Sequence, residues 1–151
     1  MGKIIFTNRT SEVHFEGELK DILRDLSNKE NLRNAYLPEE NMPDCDFHEV
    51  KLPFATLSHS NLKGCNFKNA TLYYVHFHGC DLRDCDFSGA DLTHADFKFA
   101  SIQGAKFTGA YMKDVTGIPQ DQFPEDALLE DAPHVDLPSC HHWPQKRKGS
   151  D

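Results

Sequence analysis

No stretch of eighteen apolar residues occurs in this chain, so the sequence offers no membrane-spanning helix. Its first residues, MGKIIFTNRTSEVHFE, hold no apolar run long enough for a secretory signal, and a cytoplasmic location is expected. Bases are scarce: 16 Lys and Arg stand against 24 Asp and Glu, for a net charge of −8. That balance argues against direct nucleic-acid binding or attachment to an anionic membrane, both of which need a basic surface. Five cysteines in 151 residues, kept reduced in such a compartment, read as small core residues and not as a disulfide framework. The length fits one domain.

What the sequence has instead is a period of five. From Leu32 to Met112, all seventeen residues at five-residue steps are large and apolar, Leu, Met, Phe or Ile. With 38% hydrophobic residues overall, chance would give such a run roughly once in ten million trials. Two places earlier in each unit, from Glu30 to Ala110, fifteen of the seventeen residues are Ala, Val, Cys or Ser; Glu30 and Glu40 are the exceptions. A period of five matches neither a helix nor a strand. It requires a backbone that turns once per unit, with two residues pointing inward and three outward. Four units close a square coil of twenty residues, and the sequence also repeats at twenty: Phe47, Phe67, Phe87 and Phe107 form one column, Leu32, Leu52, Leu72 and Leu92 another. Stacked at the strand spacing of about 4.8 Å, the seventeen units make a little over four coils and a rod about 20 Å long.

Units such as Ala90-Asp91-Leu92, Ala95-Asp96-Phe97, Cys80-Asp81-Leu82 and Cys85-Asp86-Phe87 resemble the A(D/N)Lxx pattern of the pentapeptide-repeat family, over residues 30–114. The resemblance implies an all-β solenoid, a right-handed quadrilateral β-helix, here of about four coils. Three regions are expected: an N-terminal cap over 1–29, the β-helix over 30–116, and an acidic, Pro-rich cap and tail over 117–151. Solenoid ends expose core and unpaired backbone, so caps are needed. At the N-terminus, Lys3–Thr7 and Glu12–Phe15 alternate like a hairpin, and Glu18–Leu26 puts Leu19, Ile22, Leu23 and Leu26 at helical spacing. At the C-terminus, Pro119, Pro124, Pro133, Pro138 and Pro144 break long elements, leaving room for a helical turn or two over Glu125–Glu130.

Chemistry-bearing residues are present without an arrangement that would use them. Cys45, Cys65 and Cys85 share a column, with Cys80 in another; all four are expected in the core. Cys140-His141-His142 lacks a second ligand pair at zinc-like spacing, and no metal or cofactor is expected. A convex rod filled by its own side chains offers a catalytic base no pocket, so no enzyme activity is expected either.

The outward positions are more telling. Phe54, Tyr74 and His94 share a corner, beside Tyr73; the next face carries Tyr36, His59, His76, His78 and Phe99. Clustered exposed aromatics mark interfaces, and the leading expectation is a protein-binding face made of these nine residues. A second expectation follows from the family resemblance, because gyrase-protecting and gyrase-inhibiting members are thought to imitate DNA. The acids that would serve are Asp44, Asp46, Glu49, Asp81, Asp84 and Asp86. They alternate along the rod with Lys63, Lys68, Arg83 and Lys106, which makes bands and not a continuous stripe.

Overall fold

The computed structural model describes residues 2–6, 12–15, 17–21, 23, 32–130 and 132. Within residues 32–116 the chain repeats one local event. The N–H of the small residue donates to the carbonyl of the preceding central residue three places back, as from Ala90 to Phe87 at 3.0 Å. The residue two places after each central one has a positive φ, from Asn34 at 63° to Asp114 at 56°, in all seventeen units. Five of these positions are glycine, at residues 64, 79, 89, 104 and 109; the other twelve carry side chains. Each such side chain in the left-handed region costs on the order of 1–2 kcal/mol, so something must hold the turn against that cost.

Hydrogen bonds between coils do so. Through the unit of Leu92, the central N–H and the N–H two places later both donate to carbonyls about one coil on, as in Phe47 to Asn66 at 2.7 Å and Glu49 to Lys68 at 2.9 Å. In return, the N–H of Asn66 donates to Cys45 at 2.9 Å. Parallel bridges join residues twenty apart throughout, among them Tyr36 to Thr56, Thr56 to His76 and His76 to Asp96. A solenoid with a twenty-residue repeat results. Its four faces are named here by their central columns: first (Leu32 to Met112), second (Leu37 to Phe97), third (Met42 to Ile102) and fourth (Phe47 to Phe107).

All seventeen central side chains are buried. The fourth face stacks Phe67 on Phe87 at 5.1 Å and Phe87 on Phe107 at 5.3 Å, with rings within 8° of parallel. Phe77 and Phe97, on the opposite face, meet this ladder edge-on across the interior at 5.7–6.1 Å. Between the ladders sit the small residues. Cys45, Cys65, Cys80 and Cys85 are buried, free thiols, as expected. They do more than fill space, because the Sγ–H groups of Cys65, Cys80 and Cys85 each donate at 2.9 Å to the carbonyl of a central residue one coil back, Met42, Leu57 and Leu62. Cys140 lies outside the described residues.

At the N-terminal end, strands β1 (Gly2–Phe6) and β2 (Glu12–Phe15) pair antiparallel, and β1 also pairs with β3 (Ala35–Tyr36) of the first coil. Thr7 lies outside the described residues. Residues 19–21 and 23 are helical; Leu23 is buried in the core cluster and Leu19 packs against it. Ile22 and Leu26, expected on the same apolar side, are outside the described residues. At the C-terminal end the expected helical turns over Glu125–Glu130 do not form. A short 3-10 helix, Gln120–Gln122, is followed by a turn from Pro124 to Ala127, and Leu128 then bridges Tyr111 in parallel. The Pro124–Ala127 turn imitates a repeat unit, and that pairing wins over local helix propensity. The return from Tyr111 takes seventeen residues instead of twenty. No helix among the described residues is long and apolar enough to cross a membrane.

Two predictions follow from the packing. Phe87→Ala empties a site whose walls are spaced by backbone hydrogen bonds and cannot collapse, so urea denaturation should show a loss of about 3–5 kcal/mol. Phe99→Ala, at an exposed position, should change stability by about 0.5 kcal/mol or less. The second concerns the thiols. Burial pushes Cys80 up to about 11 and Cys85 up to about 12, from an ordinary value of 9.0, and pushes Cys65 in the same direction. A raised thiol pKa means that the unfolded chain loses its protons first. The stabilisation is complete below about pH 9 and falls as pH rises through the folded values. The urea midpoint should therefore drop between pH 8 and pH 10, and a Cys65→Ala, Cys80→Ala, Cys85→Ala variant should show a shallower drop. Equal slopes would contradict the assignment.

Candidate partner-binding surface

The nine expected interface residues fall into two groups with different fates. On the first face and its corner, Phe54, Tyr74 and His94 occupy successive left-handed positions twenty residues apart. Coil spacing brings their rings into contact. Phe54 stacks on Tyr74 at 4.9 Å and Tyr74 on His94 at 4.4 Å, both nearly parallel. The guanidinium of Arg33 lies 4.1 Å over the ring of Phe54 at one end, and Asp114 lies 3.4 Å from His94 Nε2 at the other. Tyr73 meets Phe54 edge-on at 5.5 Å.

This packing corrects the expectation that the whole group projects freely. Phe54 is 5% exposed and Tyr73 3%, while Tyr74 and His94 are half-buried. Asp91 and Thr93 on the same face are buried too, with Thr93 Oγ1 donating to Asp91 at 2.6 Å. Phe54 is enclosed by a cation, a ring face and a ring edge, so it belongs to the packed body of the protein. An outward register position is thus not the same as an accessible one.

The second group stays accessible. Phe99 is 83% exposed and Tyr36 44%, and both are among the few exposed large hydrophobics of the described residues. His59 and His76 are exposed and His78 half-buried. His78 links two coils, meeting His59 edge-on at 5.4 Å and Phe99 edge-on at 5.2 Å. His59 can adopt this pose because the residue above it is Gly79; a Cβ there would lie only 2.5 Å from its ring. Tyr36 and His76 stand on the bridge ladder of the same second face, with Thr56 between them. Tyr36, His59, His76, His78 and Phe99 therefore lie on one face, and Phe54, Tyr73, Tyr74 and His94 form a separate, largely closed column.

The acids of the third and fourth faces are distributed among partners. Asp81 takes two hydrogen bonds from Arg83, at 2.8 and 2.7 Å, and this contact holds its carboxyl below the ordinary carboxylate range. For Asp86, partial desolvation works upward, but hydrogen bonds from Ser88 and the nearby Lys68 ammonium, 3.5 Å away, win and lower it. Asp46 contacts His48 at 2.8 Å and accepts from Asn66 at 3.2 Å. Asp44 and Asp84 fold over Gly64 and Gly104 of the following coil. Glu49 is exposed. Among the described residues no group of three His, Cys, Asp or Glu is placed to hold a metal ion.

A positional signal in the sequence also marks these rings. The fourth residue after each small one is glycine in five units and Asn or Asp in five more, which is the composition of a left-handed turn position. The units that place Phe, Tyr or His there, at Phe54, His59, Tyr74, His94 and Phe99, accept backbone cost to display a ring. That exception would have picked out five of the nine residues without a structure.

Comparison with known proteins agrees with this architecture. A family model described as the pentapeptide repeat region matches residues 25–107. None of the curated proteins matches the sequence. Among solved structures, alr5209, a pentapeptide repeat protein from Nostoc PCC 7120, is similar at a TM-score of 0.57 and 27% identity, over 66% of this chain and 87% of the other. QnrB1, a plasmid-mediated fluoroquinolone resistance protein, is 27% identical over 53% of this chain and 44% of its own, with a TM-score of 0.34. HetL, a pentapeptide repeat protein involved in heterocyst differentiation regulation from Nostoc sp. strain PCC 7120, is 21% identical over 62% of this chain and 42% of its own, with a TM-score of 0.36. With the repeat in its sequence, the twenty-residue coil in its backbone and more than half its length within the family model, the chain belongs to the pentapeptide-repeat family.

Proposed function

We propose that this protein is a non-enzymatic scaffold, a right-handed β-helix of about four coils, that binds a protein partner in the cytoplasm through its second face. The observation that carries the reading is Phe99, 83% exposed on a left-handed backbone and edged by His78. Unlike Phe54, His59, Tyr74 and His94, it makes no coil-to-coil hydrogen bond through its own N–H among the described residues, and an interface would use its ring as an anchor. Tyr36, His59 and His76 supply the surrounding amphipathic contacts. The closed column of Phe54, Tyr73, Tyr74 and His94 supports this face from the side. Buried free thiols suit a reducing compartment, and the net charge of −8 favours a protein over nucleic acid or an anionic membrane.

The test compares two double variants in one affinity capture from host lysate, with the partner identified first on the unaltered protein. Phe99→Ala, His78→Ala should stay folded and lose the partner by about 2 kcal/mol or more, roughly a thirtyfold weakening. Asp84→Lys, Asp86→Lys should bind nearly as before. A partner that survives loss of the rings and vanishes on charge reversal would overturn the reading in favour of DNA mimicry by the acidic faces.

A further inference from the structure

The solenoid closes unevenly at its C-terminal end. On the first face, Met112 donates to Leu128 at 2.7 Å and Leu128 to Ala110 at 2.9 Å, so the returning chain pairs with the last coil. On the third and fourth faces it does not. One coil earlier, Leu82, Asp84, Phe87 and Gly89 donate to the carbonyls of Ser101, Gln103, Lys106 and Thr108. Their counterparts in the last coil, the N–H groups of Ile102, Gly104, Phe107 and Gly109, donate to no protein group among the described residues, and the carbonyls of Ala100 and Ala105 accept from none. Because the return is three residues short of a full coil, it stands off this edge. An open cavity of about 620 Å³ separates Ile102–Thr108 from Gln122, Pro124 and Asp126.

We propose that this edge accepts an extended segment of a partner polypeptide by backbone pairing, at a site separate from the second face. Each face presents two donors and one acceptor in the geometry that the coils use with one another. A strand that donates to Ala100 and Ala105 and accepts from the four N–H groups satisfies all of them. The fitting segment carries an inward aromatic, because the ring of Phe107 ends a ladder spaced at 5.1–5.3 Å. A second copy fits poorly. Four donors against two acceptors are not self-complementary when two such edges meet. The opposite end of a copy is overlain by helical residues 19–21 and 23, with Leu23 in the core.

Amide hydrogen exchange on the full chain tests this, with a synthetic peptide of residues 81–90 as probe, since these span the same two faces one coil earlier. In the free protein, Ile102, Gly104, Phe107 and Gly109 should exchange far faster than Leu82, Asp84, Phe87 and Gly89. Saturating peptide should slow the first four by about tenfold or more, and a peptide with Pro in place of its Asp81 and Asp86 residues should not. The proposal would be overturned by no added protection, by equal protection from the proline peptide, or by protection already present without peptide. Protection that rises with protein concentration alone would assign the edge to a second copy and would overturn it equally.

Discussion

The rest of this structure depends on the backbone hydrogen bonds that join each coil to the next, at 2.7–3.2 Å from Leu32 onward. They hold ten of the twelve side-chain-bearing residues in the left-handed region through their own N–H groups and fix the coil spacing near the inter-strand distance. Once spacing is fixed, residues twenty apart must stack. A column then does best with like shapes: Phe on Phe with parallel rings, small on small, and thiols reaching the carbonyls one coil back. The core is a consequence of the ladder as much as its cause, since burial of the central side chains is what makes breaking the ladder costly.

The same constraint governs the surface. Polar columns settle their hydrogen bonds between coils, as Asn61 does with Asn41 at 2.9 Å and Asn66 with Asp46 at 3.2 Å. Aromatic columns settle theirs by stacking, which is how Phe54, Tyr74 and His94 become a closed pile between Arg33 and Asp114. Where a glycine interrupts a column, the ring below can lean over it, as His59 does at Gly79, and the next ring is left without a stacking neighbour one coil below. Phe99 is in that position, above Gly79 in the same column, and its high exposure follows from the interruption.

Much of this was legible in the residues. The apolar period at Leu32 to Met112 is conspicuous because each unit has a single inward central position, and nothing else in the chain competes with it. The cysteines at 45, 65, 80 and 85 read correctly as core because they fall on the small inward position. Accessibility did not read as well. Phe54 and Tyr73 occupy outward positions by count, yet neighbours across the corner enclose them, and lateral neighbours are not encoded in a period. The C-terminal return is likewise not legible in the residues, because a helical pattern over Glu125–Glu130 is local while the bridge of Leu128 to Tyr111 depends on an edge made elsewhere.

A deletion pair tests the twenty-residue coil most directly. Removing residues 62–81 joins Asn61 to Leu82, and Asn61 and Asp81 are bridge partners, so every column above the cut lands on its own kind. Removing residues 62–78 takes out nearly as much chain but slips each later unit off register. The first variant should keep a β-rich circular dichroism spectrum and a single cooperative unfolding transition in urea, at a lower midpoint. The second should lose cooperativity. Equal behaviour of the two would contradict an account in which coil-to-coil hydrogen bonding sets the positions of all the side chains.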